Sequence, residues 1–496
     1  MDDLSPSRAL PQAQLQIGER FLDQGSAGFY DHVDPATGKV QARVPLAGSA
    51  EVEQAVVAAK AGFEIWRKTS PRQRRDLLNR LADLLVANAD ELVRLSCIEN
   101  GTALKGAFIG PHLAAAWTRY YAGWADKLTG QVTSSHPTDQ FAYTLAEPYG
   151  VVGIIITWNG PLISLGMKVA PALAAGNSVV VKPSEMTPYA AGLFGKLVLE
   201  AGIPPGVVNI LPGGAEAGKA LVTHPDVLKI SFTGGPVSAR KIQQSSAALL
   251  KPLVFELGGK SANLLFADAD LDRAVENAVM FSIGMMSGQG CAFPTRLLVE
   301  RSVYDDVVAR VEARVRQLVV GDPLDPDVDV GPVVNQAACQ RIMAMVEKAK
   351  ASGECRLVIG GERAGADLVG ADRADGFYVT PTVFADVKPD SELAQQEVFG
   401  PVLCITPFDA EEEAVAIANA TEYGLAAYIQ TKNLNRALRL STELRAGTVC
   451  INGAMQIQPE SPFGGERLSG HGREGGREGL EEFLRIKTVS IANANG

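Results

Sequence analysis

Of the six cysteines in the chain, Cys291 stands where a thiol can work as a nucleophile. It follows the turn Ser287-Gly288-Gln289-Gly290, and Ala292 comes next. Glycines on that approach leave room for a reacting carbon and free the backbone N–H beside the sulfur. The other five, Cys97, Cys339, Cys355, Cys404 and Cys450, have no such neighbours and read as small buried hydrophobes. No C-x-x-C or Cys/His spacing suits a metal, and six cysteines in 496 residues make no disulfide framework. Glu256 closes an apolar run in Phe255-Glu256-Leu257-Gly258-Gly259-Lys260. A carboxyl emerging into apolar surroundings holds its proton more tightly, which suits a general base. A salt-bridged loop glutamate would carry the same local sequence.

These residues need a scaffold, and residues 150–256 read as one. Val151-Val152-Gly153-Ile154-Ile155-Ile156 is a continuous apolar run of the kind that forms a strand buried on both faces. Val179-Val180-Val181, Val207-Val208-Asn209-Ile210 and Lys229-Ile230-Ser231-Phe232 repeat the theme, with helical segments such as 187–201 between them. This is the βαβ rhythm of an open parallel sheet. The alternation resumes after Glu256, with strands near 262–266, 296–299, 403–407 and 448–451. Two α/β domains in series follow. Upstream, Asp34-Pro35-Ala36-Thr37-Gly38-Lys39 reads as a hairpin turn. Amphipathic helices are predicted at 51–66 and from Ser70-Pro71 onward, where a cap residue precedes proline. Residues 129–145, rich in Thr, Ser and Tyr, belong to neither domain and read as an arm toward a partner subunit.

A doubly wound sheet binds ligands at the carboxyl ends of its strands. Four polar or glycine turns fall there: Thr157-Trp158-Asn159-Gly160-Pro161, Lys182-Pro183-Ser184-Glu185, the stretch from Gly213 and Gly214 to Gly218, and Thr233-Gly234-Gly235. Together they outline a crevice for an extended dinucleotide. The glycine turn 213–218 is only loosely G-x-G-x-x-G and by itself reads as a tight loop. Lys182 and Glu185 say more, since both can bond ribose hydroxyls. A carboxylate there repels a 2′-phosphate and so favours NAD over NADP.

Composition excludes other classes. Glycine, at 50 residues, exceeds the usual share without forming any repeat, so it serves separate turns and close approaches. The net charge of −10 and the absence of a basic, aromatic-laced stripe argue against nucleic acid. The most apolar stretch, 151–181, is broken by Asn159, Lys168 and Asn177 and is no membrane span. No signal-peptide pattern opens the chain, and the expected compartment is the cytoplasm.

Seven motifs then occur in the order found in one enzyme family. They are Thr157-Trp158-Asn159-x-Pro161-Leu162, Lys182-Pro183-Ser184-Glu185, Phe232-Thr233-Gly234, Glu256-Leu257-Gly258-Gly259-Lys260-Ser261, Gly288-Gln289-x-Cys291, Glu397-x-Phe399-Gly400-Pro401 and Pro462-Phe463-Gly464-Gly465. From about residue 20 almost to the C-terminus the chain resembles the aldehyde dehydrogenase superfamily, in its hydrolytic, NAD(P)-dependent branch. The resemblance implies a Rossmann-like NAD-binding domain (1–128 and 147–256), an α/β catalytic domain (257–483), and a small β arm (129–146 and 484–496) that builds a homodimer or homotetramer.

It also implies roles. Cys291 would add to an aldehyde carbon, the Asn159 amide and the Cys291 N–H would hold the oxyanion, and Glu256 would activate the water that hydrolyses the thioester. Lys168 and Glu474 resemble the family's proton-relay pair. Lys182 and Glu185 would hold the adenosine ribose, with Ser184 also at the cofactor, and Glu397 the nicotinamide ribose, with Phe399 packed near the ring. Thr157, Trp158, Gly214, Gly218, Thr233, Gly234, Gly235 and Leu257 would border the cofactor.

The chain departs from the family pattern at several places. Gly235 stands where serine is frequent, Gly160 where Phe or Tyr is frequent, and Met167 where Trp is frequent. Gly235 bears on a hydrogen bond to the cofactor pyrophosphate, whereas Gly160 and Met167, with Ile163, Gly290, Ala292, Met455, Ile457 and Phe463, imply by resemblance a wide aliphatic tunnel. It lacks an aromatic cage for a quaternary ammonium and a cation for a carboxylate. A bulky apolar or aromatic aldehyde is the expected substrate. A CoA-acylating enzyme is disfavoured by the carboxylate at Glu256, and a catalytically idle binding protein by the intact set of Cys291, Asn159 and Glu256.

Overall fold

The computed structural model describes residues 8–133, 140–454 and 457–492. Two large sheets and one small one organise them. In the first, strands run in the spatial order Gly470–His471, Leu253–Glu256, Val227–Thr233, Val151–Ile155, Ser178–Lys182, Val208–Ile210, Leu15–Ile17 and Arg20–Leu22. The five from Leu253–Glu256 to Val208–Ile210 are mutually parallel. Their carboxyl ends, and with them the turns after residues 155, 182, 210, 233 and 256, therefore lie along one edge. Ser178–Lys182 and Val151–Ile155 are buried at every residue, because helices cover both faces of a parallel sheet.

The second sheet has the order Arg356–Ile359, Thr382–Ala385, Val402–Phe408, Arg296–Glu300, Ala262–Leu265, Ala426–Gln430 and Thr448–Ile451. It is parallel except for its first strand. The chain is thus a mixed α/β protein with two parallel-rich sheets, as its sequence rhythm predicts. Gly470–His471 departs from the serial picture: it returns from the late chain to cap the edge of the first sheet, antiparallel to Leu253–Glu256.

Local rules account for the helices. Ser70 accepts from the Gln73 N–H while the Gln73 side chain bonds Ser70 in return, and Pro71 opens the helix Pro71–Ala87. Leu78, Leu81 and Leu85 face the core. The helix predicted at 51–66 begins two residues earlier, at Ser49, because Glu51 reaches back to the Gly48 N–H at 2.9 Å. Residues 89–122, interrupted after Asn100 by the left-handed Gly101 and again at Phe108, form the helices Ala89–Asn100, Leu104–Ala107 and Ile109–Ala122. The predicted arm is a nine-residue antiparallel ladder of Gln140–Pro148 with Leu484–Ala492, flanked by Val132–Thr133. Among the described residues no helix is long and apolar enough to cross a membrane, and no cluster of side chains could hold a metal.

Candidate active site

Cys291 is presented by a loop of unusual backbone. Met286, Ser287 and Gly288 all have φ between 52° and 71°, and non-glycine residues adopt that left-handed region only when their surroundings impose it. Here the surroundings do. Ser287 Oγ donates to the Gly331 carbonyl at 2.8 Å, and Gln289 is buried with its Oε1 accepting from Val334 N–H at 3.0 Å. Gly288 admits no side chain, since a Cβ there would lie 2.1 Å from the Gly400 oxygen. The Gln289 carbonyl is left facing Asn159, whose Nδ2 donates to it at 2.8 Å.

Asn159 is oriented from its other end as well. Thr157 Oγ1 donates to Asn159 Oδ1 at 2.6 Å, which fixes the amide so that Nδ2 faces the cysteine loop. The second hydrogen of Nδ2 stays available to an oxyanion. The Cys291 thiol is pushed up to about 12 by burial and by the charges of Glu397 and Glu256, against which the Cys291 and Ala292 N–H groups pull. At neutral pH it is a thiol, and its thiolate fraction grows about tenfold per pH unit. Alkylation of Cys291 by iodoacetamide in the cofactor-free protein should therefore accelerate with that slope from pH 7 to 9, with Cys291→Ala as the blank. A plateau near pH 7 would contradict this assignment.

Glu256 ends its strand beside Thr233 in parallel register, and its backbone carbonyl accepts from Gly234 N–H at 3.0 Å. The carboxyl is 3% exposed and neither oxygen has a hydrogen-bond partner. Burial first, then the neighbouring Glu474 charge, raises it well above the usual carboxylate range, while Lys168 and Arg473 oppose the shift. Gly464, with φ of 153°, gives it room: a Cβ there would stand 2.7 Å from Glu256 Oε1. Behind it lies a buried ion pair, Lys168 Nζ with Glu474 Oε1, and Lys168 also donates to Ser231 Oγ at 2.9 Å. The bridge between Phe463 and Glu474, with N–H···O distances of 2.5 and 2.7 Å, holds the segment carrying Gly464 against the one carrying Glu474.

The five parallel strands end in a groove whose donors suit a dinucleotide. Gly214 and Gly235 cap the helices Ala215–Thr223 and Pro236–Ser246, and a Cβ at either would meet nothing within 4 Å. Two open helix N-termini side by side match the needs of a pyrophosphate. Lys182 runs beneath Gly218 and donates to the Pro183 and Gly213 carbonyls at 3.1 and 2.6 Å. Burial lowers its pKa, and Glu185 opposes that. Ser184 Oγ accepts from Met186 N–H at 3.2 Å, shaping the turn that presents Glu185. Across the groove, Glu397 is pushed up to about 7 by burial, against the pull of the Gly259 N–H (3.0 Å), Lys260 and Arg341. Trp158 and Phe399 meet edge to face at 5.4 Å. Leu257, buried, donates its N–H to the Ser469 carbonyl at 3.1 Å.

Of the predicted wall residues, Met167, Ala292 and Phe463 are buried in one apolar cluster, and Ile163, Ile457 and Cys291 pack against it. Gly160 caps the helix Pro161–Ala174, and Gly290 is covered by the Phe293 ring. Met455 lies outside the described residues. Sequence reasoning assigned no role to Ser231, Gln289 or Tyr428, whose hydroxyl donates to the Ala292 carbonyl at 2.7 Å. A hydroxyl set between Ile230 and Phe232 in a buried strand is the available signal for Ser231.

Comparison with known proteins agrees with this geometry. The profile described as "Aldehyde dehydrogenase family" matches residues 21–489. An aldehyde dehydrogenase of Emericella nidulans is 42% identical over 96% of the chain and 94% of its own length. Human retinal dehydrogenase 2 is 39% identical over 98% and 93%. The crystal structure of PnpE from Pseudomonas sp. WBC-3 is 38% identical, superposes with a TM-score of 0.94 and covers 97% of this chain and 98% of its own. PnpE has also been solved with nicotinamide adenine dinucleotide bound. With a cysteine loop, an amide and a buried carboxyl on a dinucleotide-type sheet, and with relatives of this extent, the chain belongs to the aldehyde dehydrogenase family and is an enzyme that oxidises aldehydes.

Proposed function

We propose that the protein oxidises a bulky apolar or aromatic aldehyde to its carboxylic acid, with NAD as oxidant, through a thioester on Cys291 that water hydrolyses. The observation that carries the mechanism is the Asn159 amide bonded to the carbonyl two residues before Cys291, opposite a buried carboxyl with no partner. Cys291, once its thiol has lost its proton to solvent, adds as thiolate to the aldehyde carbon, and the carbonyl electron pair moves onto oxygen, where Asn159 Nδ2 and the Cys291 N–H receive it. Lys182, Ser184, Glu185, the helix ends at Gly214 and Gly235, and Glu397 would hold NAD, whose nicotinamide would supply the hydride acceptor. Hydride departure leaves the acyl group on sulfur. Glu256, ionised, then takes a proton from water as its oxygen attacks the thioester carbon, the C–S bond breaks and the thiolate returns. Lys168 and Glu474, bonded to each other behind Glu256, are placed to pass that proton on.

Glu185 supports NAD over NADP, because its carboxylate repels a 2′-phosphate. The apolar cluster around Cys291 supports the substrate class, and so does the human relative named for retinal. We assign 1–128 and 147–256 to the cofactor domain, 257–483 to the catalytic domain, and 129–146 with 484–496 to an arm that joins a dimer or tetramer. The test is a panel of aldehydes with NAD or NADP, with and without CoA. Long-chain or aromatic aldehydes should exceed betaine aldehyde and succinate semialdehyde in kcat/KM by about tenfold or more, since a charge enters an apolar tunnel only at a desolvation cost. The free acid should form whether or not CoA is present. The reverse preference, or an acyl-CoA product, would overturn the reading.

A further inference from the structure

The helix Ala89–Asn100 lies outside the groove and outside the cysteine loop, yet its last residues touch the supports of both. Glu99, buried, accepts the Tyr189 N–H at 2.8 Å on Oε2, at the start of the helix Pro188–Glu200 that follows the Lys182–Glu185 turn. Gly101, left-handed with φ of 80°, packs its carbonyl so tightly on Gly331 that a Cβ there would stand 2.1 Å away. The Gly331 carbonyl in turn holds Ser287. Between them, Asn100 is 2% exposed; its Nδ2 donates to the Trp158 carbonyl at 3.1 Å, and its Oδ1 accepts from Thr102 N–H at 2.9 Å.

The Trp158 carbonyl belongs to the same planar peptide unit as the Asn159 nitrogen. Fixing that oxygen fixes the peptide plane, and hence the direction in which the Asn159 side chain leaves the backbone. Thr157 and the Gln289 carbonyl set how the amide is turned, whereas Asn100 sets where it starts. Asn100 and Asn159 also line one small cavity, together with Ser96, Thr102, Ile163 and Met286. We propose that Asn100 is a positioning residue for the Asn159 amide, acting through the Trp158 carbonyl to hold the oxyanion donor over Cys291. This rests on the oxyanion role given to Asn159 above.

A double-mutant cycle on the full-length enzyme tests it. Asn100→Asp keeps the Oδ1 acceptor for Thr102 and replaces the donor that faces Trp158 with an oxygen. It should lower kcat about tenfold, the scale expected when a reacting group is slightly misplaced. The NAD dissociation constant, read by protein fluorescence, should stay within about twofold. In an Asn159→Ala background the same change should lower kcat by less than about twofold, because the group it positions is gone. Equal losses in both backgrounds, or no loss in the first, would overturn the proposal. Should the carboxylate that Asn100→Asp buries prevent folding, Asn100→Ala runs the same cycle. Full activity in Asn159→Ala alone would instead defeat the oxyanion reading itself.

Discussion

Cys291→Ala is expected to abolish aldehyde-dependent NADH formation, with a loss on the order of 10⁴-fold or more, as when a covalent nucleophile is removed from other enzymes. No other thiol is placed to replace it. The remaining cysteines lie in the apolar clusters or at their edges, and none follows a run of left-handed residues such as 286–288. Binding of NAD should be unchanged within about twofold, because the residues assigned to the adenosine half sit on other strands. Protein fluorescence titration separates the two outcomes. Steady turnover by the alanine variant would end the thioester proposal, and loss of both turnover and NAD binding would indicate a folding defect.

Glu256→Gln should fail at a different step. In the proposed mechanism hydride transfer needs the thiol and the amide, whereas release of the acid needs a base for water. The variant should give a rapid burst of about one NADH per active site, followed by steady turnover reduced about 10²- to 10⁴-fold, the range supplied by general-base catalysis. A stopped-flow trace of NADH absorbance reads both phases. A slow burst with an unchanged steady rate would place Glu256 before the thioester. Since burial raises the Glu256 carboxyl well above its ordinary range, its basic form is scarce at low pH. The wild-type steady rate should therefore keep climbing with pH above the ordinary carboxylate range, and the glutamine variant should lose that part of the profile.

The parallel sheet and the turns at its carboxyl edge could be read from the sequence, since apolar runs and glycine turns leave marks at short range; the neighbours of Cys291 and Glu256 single them out as candidates, whereas the role proposed for Asn159 comes from the family resemblance. What could not be read depends on meetings between distant segments. Ser231 meets Lys168 across 63 positions, and Asn100 meets Trp158 across 58. Nothing near either residue announces its partner. The left-handed Met286 and Ser287 were also hidden, because that conformation is imposed by Gly331, Gly400 and Val334 and not by their own residue types. The strand Gly470–His471 is two residues long, below the length at which alternation can be seen.

That short strand sets an order on the making of the molecule. The first sheet takes one strand from Leu15–Ile17 and another from Gly470–His471, so it spans nearly the whole chain. Until residue 471 leaves the ribosome, the strand ending in Glu256 has an open edge, and open edges pair with whatever strand they meet. Glu474 and Gly464 emerge equally late, so the ion pair of Lys168 with Glu474 cannot form until then. A nascent chain with Cys291 already made still lacks the closed sheet edge, the Lys168–Glu474 pair and the glycine niche at Glu256, all of which wait for residues 464–474.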